Sequence, residues 1–231
     1  MIAALSAYLS SKDPSQNPRE VLEHPVARLE GKYPRAIPPA EHLTQILETL
    51  SHGGWLEHSL VIECFHRVPV GWLPAMARDQ EPLLNPVLGS YTTAISASVG
   101  GYDWAFADQV SSRMKAIYDN TAVVRTKVLA LRSLMTAADK LGRHAPQKLF
   151  SGYLEGIKTI DLALPVAEMI SEHATPDVKK FKWINIEGYH PAIKEALKGF
   201  RIKPYEEEDM EGMEPPNALD PGDPDNHAKT V

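Results

Sequence analysis

Three arginines on one predicted helix have the spacing that a partner-binding surface would use. They stand at positions 125, 132 and 143 within AVVRTKVLALRSLMTAADKLGR, residues 122–143. At about 100° per residue they fall within an arc of about 20° on the helical wheel. Guanidinium groups bind phosphate oxygens through two parallel hydrogen bonds and keep their charge at neutral pH. The spacing therefore predicts a ridge that contacts the backbone of a nucleic acid or another polyanion.

Further basic side chains near this helix widen the predicted ridge. The residues that we predict to bind nucleic acid are Arg113, Lys115, Arg125, Arg132, Lys140, Arg143 and Lys148. An apolar stripe through Val124, Leu131 and Ala138 places the arginines at the border of the buried face. The alternative is that these side chains lay their stems over the core and keep their charges in water or beside acids of the same chain.

No motif of an established nucleic-acid-binding fold accompanies these residues, so any binding is predicted to be directed at the backbone and sensitive to salt.

Charge is divided along the chain in a way that the net value of −6 conceals. Residues 110–158 hold nine basic and three acidic groups, whereas residues 205–231 hold nine acidic groups and one lysine. An anionic tail of this kind could occupy the basic ridge until a polyanion displaces it. The predicted competitor residues are Glu206, Glu207, Glu208 and Asp209. The alternative is that the acidic tail only increases solubility.

A metal site is the second chemistry that the residue types suggest. Glu63 and His66 have the Glu-x-x-His spacing of di-iron helical bundles, and His58 belongs to the same predicted helix, which begins at residue 55. A second match, Glu187 with His190, lies at a helix boundary, and the bridging glutamates of such centres are not evident. We therefore predict no metal and no cofactor, with Glu63, His66 and His58 as the remaining metal candidates. A simpler role for His66 is a positive charge at a helix C-terminus.

Catalytic motifs do not emerge from the sequence. It contains no G-x-S-x-G nucleophile elbow, no Walker A loop and no dinucleotide-binding fingerprint. Cys64, the single cysteine, lies in the apolar run LVIECF and is predicted to be a small buried hydrophobe. We predict no catalytic residue, and a binding role is favoured over an enzymatic one.

Helices are the elements predicted to position these residues. Leu43, Ile46, Leu47 and Leu50 recur at helical spacing, and similar patterns follow along the chain. The expected fold is all-α, a single compact domain over residues 1–203 with about ten to twelve short helices packed as antiparallel hairpins. Residues 204–231 form an acidic, proline-rich tail that is predicted to be disordered.

Prolines and small residues set the remaining expectations for local structure. Three prolines between Val70 and Pro86 predict short irregular turns. The segment VLGSYTTAISASVGG is predicted to be helical although its β-branched and small residues have low helix propensity. A further helix is expected only after Leu164-Pro165.

These observations favour a non-enzymatic helical binding or assembly protein whose basic central helix contacts nucleic acid, as a nucleocapsid-like or packaging component would. One alternative is a helical adaptor that binds proteins through grooves between helices, and another is a metal-dependent enzyme. The sequence is also compatible with self-association of the chain. The chain shows neither a signal-peptide pattern nor a run of membrane-spanning length, so we expect a soluble cytoplasmic protein.

Overall fold

The computed structural model describes residues 31–32, 36–51, 58–97, 104–141, 145–173, 182–183, 186–198 and 203–204. Within these ranges the chain is predominantly helical. The nine α-helices of the described residues are α1 (Ala40–Ser51), α2 (His58–Arg67), α3 (Leu73–Asp79), α4 (Glu81–Ala97), α5 (Trp104–Tyr118), α6 (Val124–Leu141), α7 (Ala145–Gly156), α8 (Ile160–His173) and α9 (Pro191–Leu197). The predicted all-α class is confirmed for this part of the chain.

Regular apolar spacing accounts for the first of these helices. Leu43, Ile46, Leu47 and Leu50 of α1 are all buried, as the helical period predicts. The α2 helix likewise buries Val61, Ile62, Cys64 and Phe65. Cys64 is therefore a small core side chain, as the apolar run around it indicates.

The prolines between residues 70 and 86 do not produce the irregular turns that we predicted. A 3₁₀ turn, Val70–Trp72, leads directly into α3, and α4 begins after a single intervening residue. Pro74 and Pro82 lie in the first turns of α3 and α4, where a backbone amide has no partner within the helix. Pro86 is exposed inside α4, so its ring faces away from the core. The irregular-turn prediction was wrong because Pro74 and Pro82 stand in first turns, which tolerate proline, and because α4 continues through Pro86.

The second half of α4 is helical despite its low intrinsic propensity, as we predicted for this segment. Leu88, Tyr91 and Ile95 are completely buried there. The helix packs against α1 and α2 as well as α6, so its residues are held by tertiary contacts from more than one direction. Most helical stability in proteins comes from such packing rather than from propensity.

The starts of two later helices differ in how well local sequence predicts them. The α8 helix begins at Ile160 and continues through Pro165, so the prediction of a start after that proline was wrong. The α9 helix begins at Pro191, and the Nδ1 atom of His190 accepts a hydrogen bond of 3.3 Å from the backbone amide of Ala192. A side-chain acceptor before a proline at the first position is a typical helix start.

The α6 helix lies at the centre of the arrangement, in contact with α4, α5, α7 and α8. Two polar pairs cross from α4 to α6. Thr126 Oγ1 donates to Asn85 Oδ1 at 2.9 Å, and one heptad further along both helices the hydroxyls of Thr92 and Ser133 lie 2.8 Å apart. The residue numbers increase by seven on both helices from the first pair to the second. The helices α4 and α6 therefore run parallel.

Strand structure in the described residues is limited to one parallel pairing of two residues each, β1 (Lys182–Trp183) with β2 (Lys203–Pro204). The acidic tail that we predicted to be disordered lies outside the described residues from residue 205 onward. Among the described helices, none is long and apolar enough to cross a bilayer.

Candidate nucleic-acid interface

The outer side of α6 carries three of the predicted basic residues. Arg125 and Lys140 are exposed and Arg132 is partly exposed. At 1.5 Å per residue, they extend over about 22 Å of the helix. We call these three residues the α6 basic strip. Arg143, predicted as its extension, lies outside the described residues.

Arg125 and Arg132 lie in the middle of the solvent-facing side of α6, not at the border of its buried face as predicted, whereas Lys140 lies closer to that border. The buried residues of α6, from Thr126 to Ala138, cover about 200° of the helical wheel at 100° per residue. Arg125 and Arg132 fall near the centre of the remaining arc. The apolar stripe underestimated the buried face because Thr126 and Ser133 are also buried, through their hydrogen bonds to α4.

No described residue forms a hydrogen bond or an ion pair with Arg125, Arg132 or Lys140. The alternative interpretation, in which these side chains pair with acids of the same chain, therefore finds no partner among the described residues. Three cationic groups on one exposed helix side remain able to contact an external anion.

A groove between α5 and α7 contains two more of the predicted residues, Lys115 and Lys148. Its volume is about 530 Å³, within the range of ligand sites. The lining residues are Ser111, Ser112, Lys115, Ala145, Lys148, Leu149, Gly152 and Tyr153. Both lysines are exposed, so the groove has two cationic groups above a largely apolar floor.

Asp119 joins the two helices at one end of this groove. Its Oδ1 atom accepts a hydrogen bond from the Tyr153 hydroxyl at 2.7 Å, and its Oδ2 atom accepts one from Lys115 Nζ, also at 2.7 Å. The rings of Tyr118 and Tyr153 pack with their centres 3.9 Å apart. Burial and the hydrogen bond to Asp119 raise the pKa of Tyr153, which therefore stays protonated as a donor.

The α6 basic strip and the groove belong to different surfaces. Lys127 marks the side of α6 that faces α5, because its Nζ atom lies 4.6 Å from the centre of the Tyr118 ring. Arg125 precedes Lys127 by two residues and so points about 160° away from it around the helix. The basic residues that the sequence placed in one ridge are thus divided between two surfaces.

Arg113 belongs to neither surface, and its prediction as a surface contact needs correction. Only 4% of this residue is exposed, and its Nη2 atom donates to the backbone carbonyl of His66. Its guanidinium carbon lies 5.8 Å from the centre of the Phe65 ring, within cation–π range. The physical reason is visible in the sequence, since Val110 and Ile117 lie three before and four after it on the buried side of α5.

His66 completes this buried cluster, which sequence reasoning missed. Its Nε2 atom lies 2.7 Å from the Tyr91 hydroxyl, and its ring centre is 5.3 Å from that of Phe106. Burial and the nearby positive charge of Arg113 lower the pKa of His66 from 6.5 to about 3. The ring is therefore neutral at pH 7, and the expected role as a positive charge at the end of α2 was wrong. Arg67 provides that charge instead.

The metal candidates do not converge within the part of the chain that the structure describes. Glu63 forms an ion pair with Arg67 at 3.7 Å, whereas His66 is directed to Tyr91. The described residues contain no group of three or more His, Cys, Asp or Glu side chains that could hold a metal ion. The side chain of His58 lies outside the described residues, as do the tail residues Glu206, Glu207, Glu208 and Asp209.

No family model matches this chain, and no curated protein or solved structure matches it.

Proposed function

We propose that this chain is a non-enzymatic helical protein that binds the backbone of a nucleic acid through the α6 basic strip. The observation that carries the proposal is the position of Arg125, Arg132 and Lys140 on the solvent-facing side of α6, without a described partner. Arg143 follows one more turn along the same predicted side. Backbone contact requires only correctly spaced cations, and no motif that reads bases accompanies them.

The central position of α6 supports this role. Four neighbouring helices contact α6, so the backbone that carries the strip is held from several sides. We propose that α5 and α7 pack antiparallel to α6 and hold the α6 backbone in place. A rigid helix keeps its cations at constant spacing, and less ordering is then needed when a polyanion binds. A nucleocapsid-like or packaging role is the form of this function that the charge pattern favours.

The test measures the affinity of the full chain for a fluorescent single-stranded oligonucleotide over a salt series. The variant Arg125→Gln with Arg132→Gln and Lys140→Gln removes three phosphate contacts. Since each contact contributes about 0.7 to the slope of log affinity against log salt for a single strand, the slope should become shallower by about 2. Binding at low salt should weaken as well.

The matched control removes three positive charges elsewhere, through Arg67→Gln on α2, Lys194→Gln on α9 and Lys198→Gln directly after α9. It changes the net charge equally but leaves the α6 basic strip intact, so its salt slope should stay that of the unaltered protein. Equal effects of the two variants would show that net charge alone governs binding. Failure of the unaltered chain to bind at low salt would reject the proposal.

Binding of a protein partner is the second candidate, and one feature of α8 favours it. Ile160 and Leu164 lie one turn apart, with 51% and 55% of their surface exposed. Large apolar side chains paired on one helix side are typical of contact surfaces. A discrete oligomer in solution, without oligonucleotide binding at any salt concentration, would favour this function over the first.

A further inference from the structure

The groove between α5 and α7 has the features of a binding site for an acidic peptide. Ala145, Leu149 and Gly152 provide an apolar floor, and the ammonium groups of Lys115 and Lys148 stand on its two sides. Lys148 forms no hydrogen bond or ion pair with another described residue. A ligand that combines carboxylates with apolar side chains would satisfy both parts of the groove.

Lys115 can change partners at little cost. Its ion pair with Asp119 is exposed, with 62% of the lysine side chain accessible, and solvent-exposed pairs of this kind contribute little to stability. Asp119 keeps the hydrogen bond from Tyr153 when Lys115 turns away. The carboxylate is therefore not left without a donor.

The C-terminal segment of the chain has the complementary composition. Residues 206–214 contain six acidic side chains and no basic one, with Met210 and Met213 between them. The segment begins two residues after the described Pro204. Extended chain at about 3.6 Å per residue places Glu206 within about 7 Å of Pro204 and Glu214 within about 36 Å, so the acidic run can contact only surfaces within this distance of Pro204.

We infer that residues 206–214 dock in the groove between α5 and α7 of the same chain, with their carboxylates on Lys115 and Lys148 and their methionines over the apolar floor. This goes beyond the proposed function, because it assigns the tail to a surface other than the α6 basic strip. The tail then leaves the strip open to nucleic acid instead of competing for it.

The experiment locates the tail by paramagnetic broadening of amide signals in the full chain. A nitroxide is attached to a cysteine introduced by Asn217→Cys, just after the acidic run. Cys64 is only 2% exposed, and the chain without the added cysteine, treated with the same reagent, tests for labelling there. The amide signals of Ser112, Lys148 and Gly152 should broaden, whereas those of the outer side of α6 should not.

Two variants separate docking from general attraction between opposite charges. Gly152→Leu fills the groove without changing charge, and nothing lies within 4 Å of the position that its Cβ would take. Leucine also has a higher helix propensity than glycine, so α7 should be preserved. This variant should abolish the broadening, as should Lys115→Gln with Lys148→Gln. The control Lys194→Gln with Lys198→Gln should retain it.

Three outcomes would overturn the inference. The first is that the amide signals of the groove residues do not broaden in the spin-labelled chain. The second is that these signals still broaden in the Gly152→Leu variant. The third is broadening in a mixture of isotope-labelled chains and separately spin-labelled chains, which would place the tail of a second copy in the groove. None of these results bears on oligonucleotide binding by the α6 basic strip, so the two proposals can fail independently.

Discussion

Burial of Arg113 places a permanent positive charge inside the helical arrangement, next to a histidine. The charge is accommodated by the His66 carbonyl and the face of Phe65, because no described carboxylate pairs with it. Tyr91 in turn holds the imidazole of His66. A second positive charge on His66 would face the guanidinium in a poorly solvated site, and this makes the cluster sensitive to acid.

Acid should therefore destabilise the fold through His66. Its pKa is about 3 in the folded chain and 6.5 when unperturbed, so the unfolded state binds the proton more readily. The stabilisation is complete above pH 6.5 and is lost as the pH falls from 6.5 towards 3. Between pH 7 and pH 5 the unaltered protein should lose about 2 kcal/mol more than His66→Gln, as measured by denaturant unfolding.

The glutamine variant retains a group that can hydrogen-bond to Tyr91 but cannot titrate, so it is the appropriate reference. Equal losses in the two proteins over this pH range would show that His66 is not the sensitive group.

At the scale of elements, the contact between α4 and α6 combines apolar packing with buried hydroxyls. The Thr92 hydroxyl lies 2.8 Å from the carbonyl oxygen of Leu88, and the Ser133 hydroxyl lies 3.0 Å from that of Leu129. The two hydroxyl oxygens are 2.8 Å apart, so one hydroxyl donates to its carbonyl while the other donates across the contact. Each hydroxyl has one proton for two acceptors. The two hydroxyls therefore form one hydrogen-bonded unit across the contact between the two parallel helices.

Removal of either hydroxyl should cost about 1 kcal/mol of unfolding free energy, because the remaining hydroxyl loses a buried partner. Thr92→Val and Ser133→Ala combined should cost less than the sum of the single changes. The coupling in a double-mutant cycle is expected at about 0.5–1.5 kcal/mol, measured by denaturant unfolding. Simple additivity would show that the hydroxyls do not interact.

The predicted helix boundaries were wrong where we assumed that any proline ends a helix. Pro74 and Pro82 stand in first turns, and Pro86 and Pro165 lie inside helices. A proline in a first turn lacks no hydrogen bond within the helix, and α4 and α8 continue through interior prolines, so the presence of a proline in a segment did not predict a break.

For the whole molecule, the division of basic residues into two surfaces makes a prediction of its own. Lys115→Gln with Lys148→Gln should leave the salt slope of oligonucleotide binding unchanged, because these side chains line the groove between α5 and α7. The comparison is the triple variant of the α6 basic strip in the same titration. A slope made shallower by about 0.7 for each lysine would instead indicate one continuous track across both surfaces.

The sequence by itself determined the helical class, the positions of several helices and the segregation of charge, because these depend on local periodicity and composition. Leu43 to Leu50 predicted α1, and Arg125 and Arg132 were correctly placed on one side of α6. Tertiary structure alone decided how much of each helix is covered. Periodicity indicates where an apolar face lies, but the number of neighbouring helices determines how wide the buried face becomes. For this reason Thr126 and Ser133 are buried in α6, and the α6 basic strip and the groove lysines lie on separate surfaces.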